Sequence, residues 1–187
     1  PNKYINIWVS DRPPSSKLLS FGTYPPASGL VGIFGNVGTS TFDGFWIYAK
    51  ALGTSGAAIA PHNMGRTATH QMGHFFGLRH IWGDGTCATD YCADTPPAQQ
   101  ANYGCKTHPY NSGGCSGNTT GEMYMNYMDY TNDVCMYMFS NDQKNRAQLI
   151  MTHSSMRATL LTSTVCSLPT ATNDIGILYV ISPTYSQ

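Results

Sequence analysis

Two histidines four residues apart, then a glycine, then a third histidine occur in the stretch His70-Gln71-Met72-Gly73-His74-Phe75-Phe76-Gly77-Leu78-Arg79-His80. On a helix, positions i and i+4 lie one above the other on the same face, so His70 and His74 would present two imidazoles to one point. Neutral imidazole is a preferred ligand of zinc. Gly77, one turn further on, can adopt the left-handed backbone that ends a helix and reverses the chain. That reversal would bring His80 back from outside the helix as a third ligand. Three protein ligands and one open position describe a catalytic zinc site, whereas a structural site uses four. Three unrelated histidines would have no reason to combine both spacings with that glycine.

The frame around this stretch is a chain of 187 residues, read as one domain or one domain with a tail and long enough to bury a core. Ten basic and ten acidic residues give a formal net charge of zero, which leaves neither a basic face for nucleic acid nor an acidic tail. Charged residues make up 11% of the chain, well under the usual roughly 25%. Gly, Ser, Thr, Asn and Tyr take their place, as in many secreted enzymes. No apolar run approaches the roughly 20 residues needed to span a bilayer. The chain begins at Pro1 with neither Met nor a signal peptide, so a processed or excised piece is expected. Six cysteines, clustered in glycine- and asparagine-rich stretches, point to disulfides formed in an oxidising, extracellular compartment.

In chain order, residues 4–9 are β-branched and aromatic and read as a strand, and residues 18–24 as a second, stopped by Pro25 and Pro26. A third apolar run covers residues 44–52. Asn63 is a plausible N-cap for the histidine helix, and His62 reads as an exposed cap-region residue. Residues 81–118 are rich in turn formers and read as irregular, disulfide-pinned structure. Within them Asp84, Asp90 and Asp94 could hold a structural calcium through carboxylate oxygens, although the spacing matches no strong calcium motif and solvated loop carboxylates are an equal alternative. Asn118-Thr119-Thr120 is a formal glycosylation triplet. Ser140-Asn141-Asp142-Gln143 has the form of a capping box and predicts a helix through about Leu161, with His153 exposed on it.

The histidine stretch resembles the long zinc signature of the metzincin metallopeptidases, His-Glu-x-x-His-x-x-Gly-x-x-His, with one departure: residue 71 is Gln. In that family the glutamate takes a proton from the attacking water and passes it to the leaving amine. An amide has no basic lone pair for this near neutral pH, and the only glutamate of the chain is the distant Glu122. Residues 123–130 contain a counterpart of the methionine turn that underlies the histidines in metzincins, in one of two registers, Met125 with Tyr127 or Met128 with Tyr130. Among metzincins the pappalysins show Met-Asp-Tyr followed by Asp-x-Cys-Met. That pattern matches Met128-Asp129-Tyr130 and Asp133-Val134-Cys135-Met136, and it selects the second register. The resemblance then implies Met128 as an apolar floor and Tyr130 as a donor to the oxyanion. It also matches residues 18–24 to the cleft-bordering strand that pairs with an extended substrate, and it leaves side-chain preference open. Its cysteine pattern implies bonds Cys92–Cys115 and Cys105–Cys135, with Cys87 and Cys166 left over for each other.

The expected fold is therefore α/β or α+β and metzincin-like. It has a small mixed sheet with the zinc helix above the cleft, and an irregular disulfide-pinned lower part with a C-terminal helix. The domain is expected over residues 1–168, with residues 169–187 a linker or the start of an Ig-like domain. Metzincins carry further strands and a backing helix before the strand matched by residues 4–9. Another segment, chain or partner is accordingly expected to cover apolar surface left open here. The function implied is a secreted zinc endopeptidase acting on proteins or peptides, inactivated by Gln71. An engineered Glu-to-Gln change is favoured over a natural pseudopeptidase that captures peptides or a partner, because the rest of the site is intact. A small-molecule zinc hydrolase or lyase is a further alternative, disfavoured by the third histidine and the Met-Asp-Tyr turn.

Overall fold

The computed structural model describes residues 3–26 and 28–165, so Cys166 and the expected tail from residue 169 lie outside the described part. Strands β1 (Asn6–Ser10), β2 (Ser20–Gly22) and β3 (Gly44–Tyr48) form a sheet in the order β1-β3-β2. β1 runs parallel to β3, with Ile7 opposite Phe45 and Val9 opposite Ile47. β2 is antiparallel to β3, with Phe21 opposite Trp46. The helices are α1 (Arg66–Phe75), α2 (Asn141–His153) and α3 (Ser155–Ala158). The mixed sheet beside a histidine helix is the fold class expected from the sequence.

Some elements are shorter than their apolar runs. The ladder of β2 spans three residues, and the last run leaves the sheet at Tyr48 to wind into a 3-10 turn, Ala49–Ala51. The helix expected through Leu161 breaks at Ser154, whose backbone is extended and whose hydroxyl donates to Pro26 O at 2.6 Å.

Packing starts from β3. Phe45 and Ile47 point to one face, and Ala68, Met72 and Phe75 of α1, with Phe76 just after it, lie against them. Alternation along the strand and the i, i+3/i+4 spacing along the helix make this the one face both elements can bury. α1 does not extend over β1, so Ile7 and Val9 are each 47% exposed.

A buried ion pair closes this layer. Arg157 of α3 and Asp43, just before β3, are both fully buried and joined by two contacts, the Nη2 to Oδ1 bond being 2.8 Å. Arg157 Nε also donates to Phe75 O at 3.0 Å, and its guanidinium lies over the Phe75 ring. Asp43 Oδ1 accepts the Thr23 hydroxyl at 2.8 Å. Every side-chain nitrogen and oxygen of the pair thus has a hydrogen-bond partner, the condition for tolerating such a pair in the interior.

Both ends of α1 are fixed by residues far away in sequence. Asn63 is not its N-cap: the helix starts after Gly65, which is left-handed (φ 75°) and makes no side-chain cap. The carboxylate of Asp133 serves instead, accepting Met64 N–H at 2.8 Å and Arg66 N–H at 3.2 Å. A negative charge there complements the helix dipole. At the other end Gly77 is left-handed (φ 80°), with Gly77 N–H donating to His74 O at 2.8 Å and Leu78 N–H to Gly73 O at 2.9 Å. This pair of bonds is the Schellman pattern. Arg146 of α2 donates to Gly77 O at 2.8 Å and so locks the reversed chain.

α2 opens with the capping box, Ser140 and Gln143 bonding reciprocally. Gln143 continues into a buried amide pair with Asn126, Nδ2 of Asn126 to Oε1 of Gln143 being 2.7 Å. Asn126 Oδ1 in turn accepts Met128 N–H at 2.9 Å.

The disulfides correct the sequence expectation in part. Cys105 is bonded to Cys135, and Cys115 is bonded to Cys87 rather than to Cys92. Cys92 is held elsewhere. Its N–H donates to Asp90 Oδ1 at 3.0 Å, and the next residue, Ala93, donates to Asp142 at the start of α2. Cys92 is therefore a buried thiol without a disulfide partner among the described residues, and burial pushes its pKa up to about 12. With Cys87 bonded to Cys115, the expected Cys87–Cys166 bond is not made.

Two outcomes follow from these contacts. Asp43→Ala strands the Arg157 guanidinium and should cost roughly 3–5 kcal/mol in urea unfolding, much of it recovered when Arg157→Met is added. Gly77→Ala forces a left-handed alanine and sets its Cβ 2.9 Å from Ile150 Cγ1. It should lower stability by roughly 1–3 kcal/mol and weaken zinc uptake measured on the same preparation, because the turn that presents His80 is displaced.

Candidate metal centre

α1 places His70 and His74 on one face, and the reversal at Gly77 brings His80 back to meet them. Their ligand atoms all lie within 4.8 Å of one another. Each ring is oriented through its Nδ1. His70 Nδ1 faces Tyr127 O at 2.7 Å and His74 Nδ1 faces Leu78 O at 2.9 Å. His80 Nδ1 is in contact with Asp84 Oδ1. Carbonyl and carboxylate oxygens only accept, so in each ring the Nδ1 carries a proton, and in the neutral ring the lone pair lies on Nε2.

Those lone pairs converge. His74 Nε2 and His80 Nε2 are 3.1 Å apart. Two acceptors this close repel unless a cation lies between them, and nitrogens bound tetrahedrally at zinc distances stand roughly 3.3 Å apart. Burial, followed by the neighbouring His80, lowers the His74 pKa to about 3. Burial, with His74 and His80 next, lowers that of His70 well below its ordinary value. These two imidazoles are thereby kept in the neutral form that binds metal. The donor set fits zinc.

The floor and walls come from three segments. Of the two methionine registers, it is Met128 that is fully buried and lies against α1: a Cβ on Gly73 would stand 2.3 Å from Met128 Sδ. Tyr130 stands over the histidines, its ring centroid 5.5 Å from that of His70 and 4.9 Å from that of His80. Burial pushes its phenol pKa up to about 12, so it is a proton donor at neutral pH. Tyr24 meets His74 edge-on at 5.3 Å from the opposite side.

Gln71 is buried and turned toward β2, where its Nε2 donates to Ser20 Oγ at 2.8 Å. Its Oε1 is buried without a hydrogen-bond partner. A cavity of about 720 Å³ runs from this edge, past Leu18, Leu19 and Ser20, to His70, Tyr130 and Met136.

The carboxylates put forward for calcium do not converge. Asp84 bonds His80 and Arg79, Asp90 takes the Thr95 hydroxyl, and Asp94 accepts Ser140 Oγ at 2.6 Å and Asp142 N–H at 2.9 Å at the start of α2. Among the described residues, the three histidines are the one group of three or more that brings metal-ligating atoms together. The sequence did not reveal Asp84 or Trp82 as partners of His80. Both lie in a segment of irregular, turn-rich composition, where no spacing marks them as partners of His80.

Comparison with known proteins agrees with this geometry. The profile of the Peptidase M43 family, described as pregnancy-associated plasma protein-A, matches residues 1–152. An extracellular metalloprotease of Arthroderma otae is 35% identical over 158 residues, covering 74% of this chain and 56% of that protein. Extracellular metalloprotease 1 of Coccidioides posadasii is 37% identical over 112 residues, covering 58% of this chain and 38% of its own length. The chain thus spans about half or less of the length of these curated relatives. The solved structure of Tannerella forsythia mature mirolysin in complex with a cleaved peptide superposes with a TM-score of 0.71 at 36% identity, covering 85% of this chain and 56% of that one. The histidine helix, the methionine beneath it and the profile match agree: the chain belongs to the Peptidase M43 family, that of pregnancy-associated plasma protein-A.

Proposed function

We propose that the chain is the catalytic part of an extracellular zinc endopeptidase acting on proteins or peptides, carried here with Gln at the position of the general base. The observation that carries this reading is the convergence of the ligand atoms of three histidines, within 4.8 Å of one another, beside an open cavity. The relatives' names as extracellular metalloproteases and the cleaved peptide bound to mirolysin support it. Zinc at the three Nε2 atoms would supply Lewis acidity, polarising the attacked carbonyl and easing loss of a proton from water.

The chain's own residues do the rest. The edge of β2 offers backbone groups to an extended substrate. A glutamate at position 71 would hold a carboxylate where the Gln amide now lies, able to accept the proton of the attacking water and deliver it to the leaving amine. Glutamine cannot. Glu122 is no substitute, being buried and bound by Ser112 and Asn102. The Tyr130 phenol donates a hydrogen bond to the oxyanion as it forms. Met128 supplies a dry floor beneath the histidines. Asp94 is a capping carboxylate in this reading, so zinc is the one metal assigned. The exposed Ile7 and Val9 on β1, the edge strand opposite β2, support a further segment or chain that covers them.

The alternative is a natural, peptide-capturing pseudopeptidase, in which the Gln71 amide donates to Ser20 while its Oε1 has no partner. The two readings part on a single assay. Zinc-loaded Gln71→Glu should hydrolyse an unfolded protein substrate orders of magnitude faster than the chain as it stands. In that background Tyr130→Phe should lower kcat on the order of 100-fold with little change in KM. A folded, zinc-loaded Gln71→Glu form that stays inert would remove the peptidase reading and leave the capturing one.

A further inference from the structure

His80 differs from its two partners in how it is held. His70 and His74 are carried by a helix and oriented by backbone carbonyls. His80 sits beyond the reversal, in the loop segment after Gly77, and its orienting partner is a side chain, Asp84. Asp84 is itself held. Its second oxygen accepts Arg79 Nη2 at 2.7 Å. Arg79 is 5% exposed, donates also to Gly83 O at 2.8 Å, and lies 4.1 Å above the Phe34 ring. The backbone returns the carboxylate to His80 through two consecutive left-handed residues, Gly83 (φ 66°) and Asp84 (φ 61°), a conformation that a non-glycine residue seldom adopts. Trp82 stacks flat on the far side of the ring, centroids 4.3 Å apart and planes 3° from parallel.

Resting on the metal-centre reading above, we propose that Arg79 and Asp84 form a clamp that positions the third zinc ligand. Asp84 holds the His80 proton on Nδ1 and aims Nε2 at the metal, and Arg79 holds Asp84. Asp84 is a positioning residue: it acts through His80 and touches neither metal nor substrate. A carboxylate behind a ligating imidazole fixes its tautomer and raises its basicity, and loss of such a partner weakens metal binding about 10–100-fold. The backbone strain at Asp84 has a use on this account, since a relaxed turn would carry the carboxylate away from the ring.

The competing account is structural, with Asp84 serving only as an ion-pair partner that stabilises the loop. Zinc affinity by chelator competition, the cobalt(II) ligand-field spectrum and the melting temperature of the metal-free chain separate the two. Asp84→Ala should weaken zinc binding about 10–100-fold and alter the cobalt spectrum. Asp84→Asn, which keeps an acceptor but not the charge, should fall between Asp84→Ala and the parent. An Asp84→Ala chain that melts lower yet binds zinc and cobalt as the parent does overturns the clamp and leaves the structural account. Nitrogen-15 NMR of the zinc-loaded parent needs no variant: the clamp requires a protonated His80 Nδ1 and a metal-bound Nε2, and the reverse pattern overturns it. A parent chain that takes up no zinc would instead overturn the metal-centre reading, and the clamp with it.

Discussion

The left-handed turn at Gly77 is the constraint on which the site depends. Where α1 stops decides where Leu78 turns its carbonyl, and that carbonyl orients His74. The same reversal sets the course of the chain to Arg79, His80 and Asp84. A helix running one turn further would carry the third histidine along the rod, away from the other two. Ile150 of α2 fills the space where a side chain at position 77 would stand, and Arg146 takes the carbonyl of Gly77. The lower part of the molecule is thus built against one turn of the upper part.

A second layer of order comes from buried polar groups that have almost no freedom left. Asn126 and Gln143 exchange amide bonds while one serves Met128 and the other caps α2. Asp43 and Arg157 do the same for β3, α1 and α3. Such groups are costly to bury unpaired, so each permits one arrangement of the elements it joins. Apolar contacts alone would tolerate a slide of α1 along the sheet by a fraction of a turn. Three imidazoles required to meet at one point would not.

What could be read from the sequence follows the range of the interaction involved. The i, i+4 histidines, the glycine stop and the Ser140–Gln143 cap are local patterns, decided within a few residues, and they mark elements the structure contains. The start of α1 is different. Asn63 had the right side chain, but the donors of Met64 and Arg66 are met by Asp133, 69 and 67 positions later. The strands are shorter than the apolar runs because the backbone changes partner: Tyr24 bridges to Val37 rather than to β3, and after Tyr48 the chain winds into a 3-10 turn. Cysteine connectivity depends on which loops meet, and the Asp90 turn that holds Cys92 has no periodicity to reveal it. Asp84 was visible as a carboxylate, but its task depends on Gly83 and its own backbone turning it back to His80, which composition does not encode.

The buried pair between Asp43 and Arg157 also has a consequence in time. Its partners are 114 positions apart, and Arg157 reaches Phe75, at the end of the histidine helix, across 82. In a chain made from its N-terminus, the strands and all three histidines leave the ribosome well before the guanidinium that closes them has been synthesised. Until then Asp43 must keep its water, and the end of α1 has no arginine against Phe75. The three histidines are therefore among the earlier parts of the described chain to be made, while the contact that secures the end of their helix must wait for Arg157.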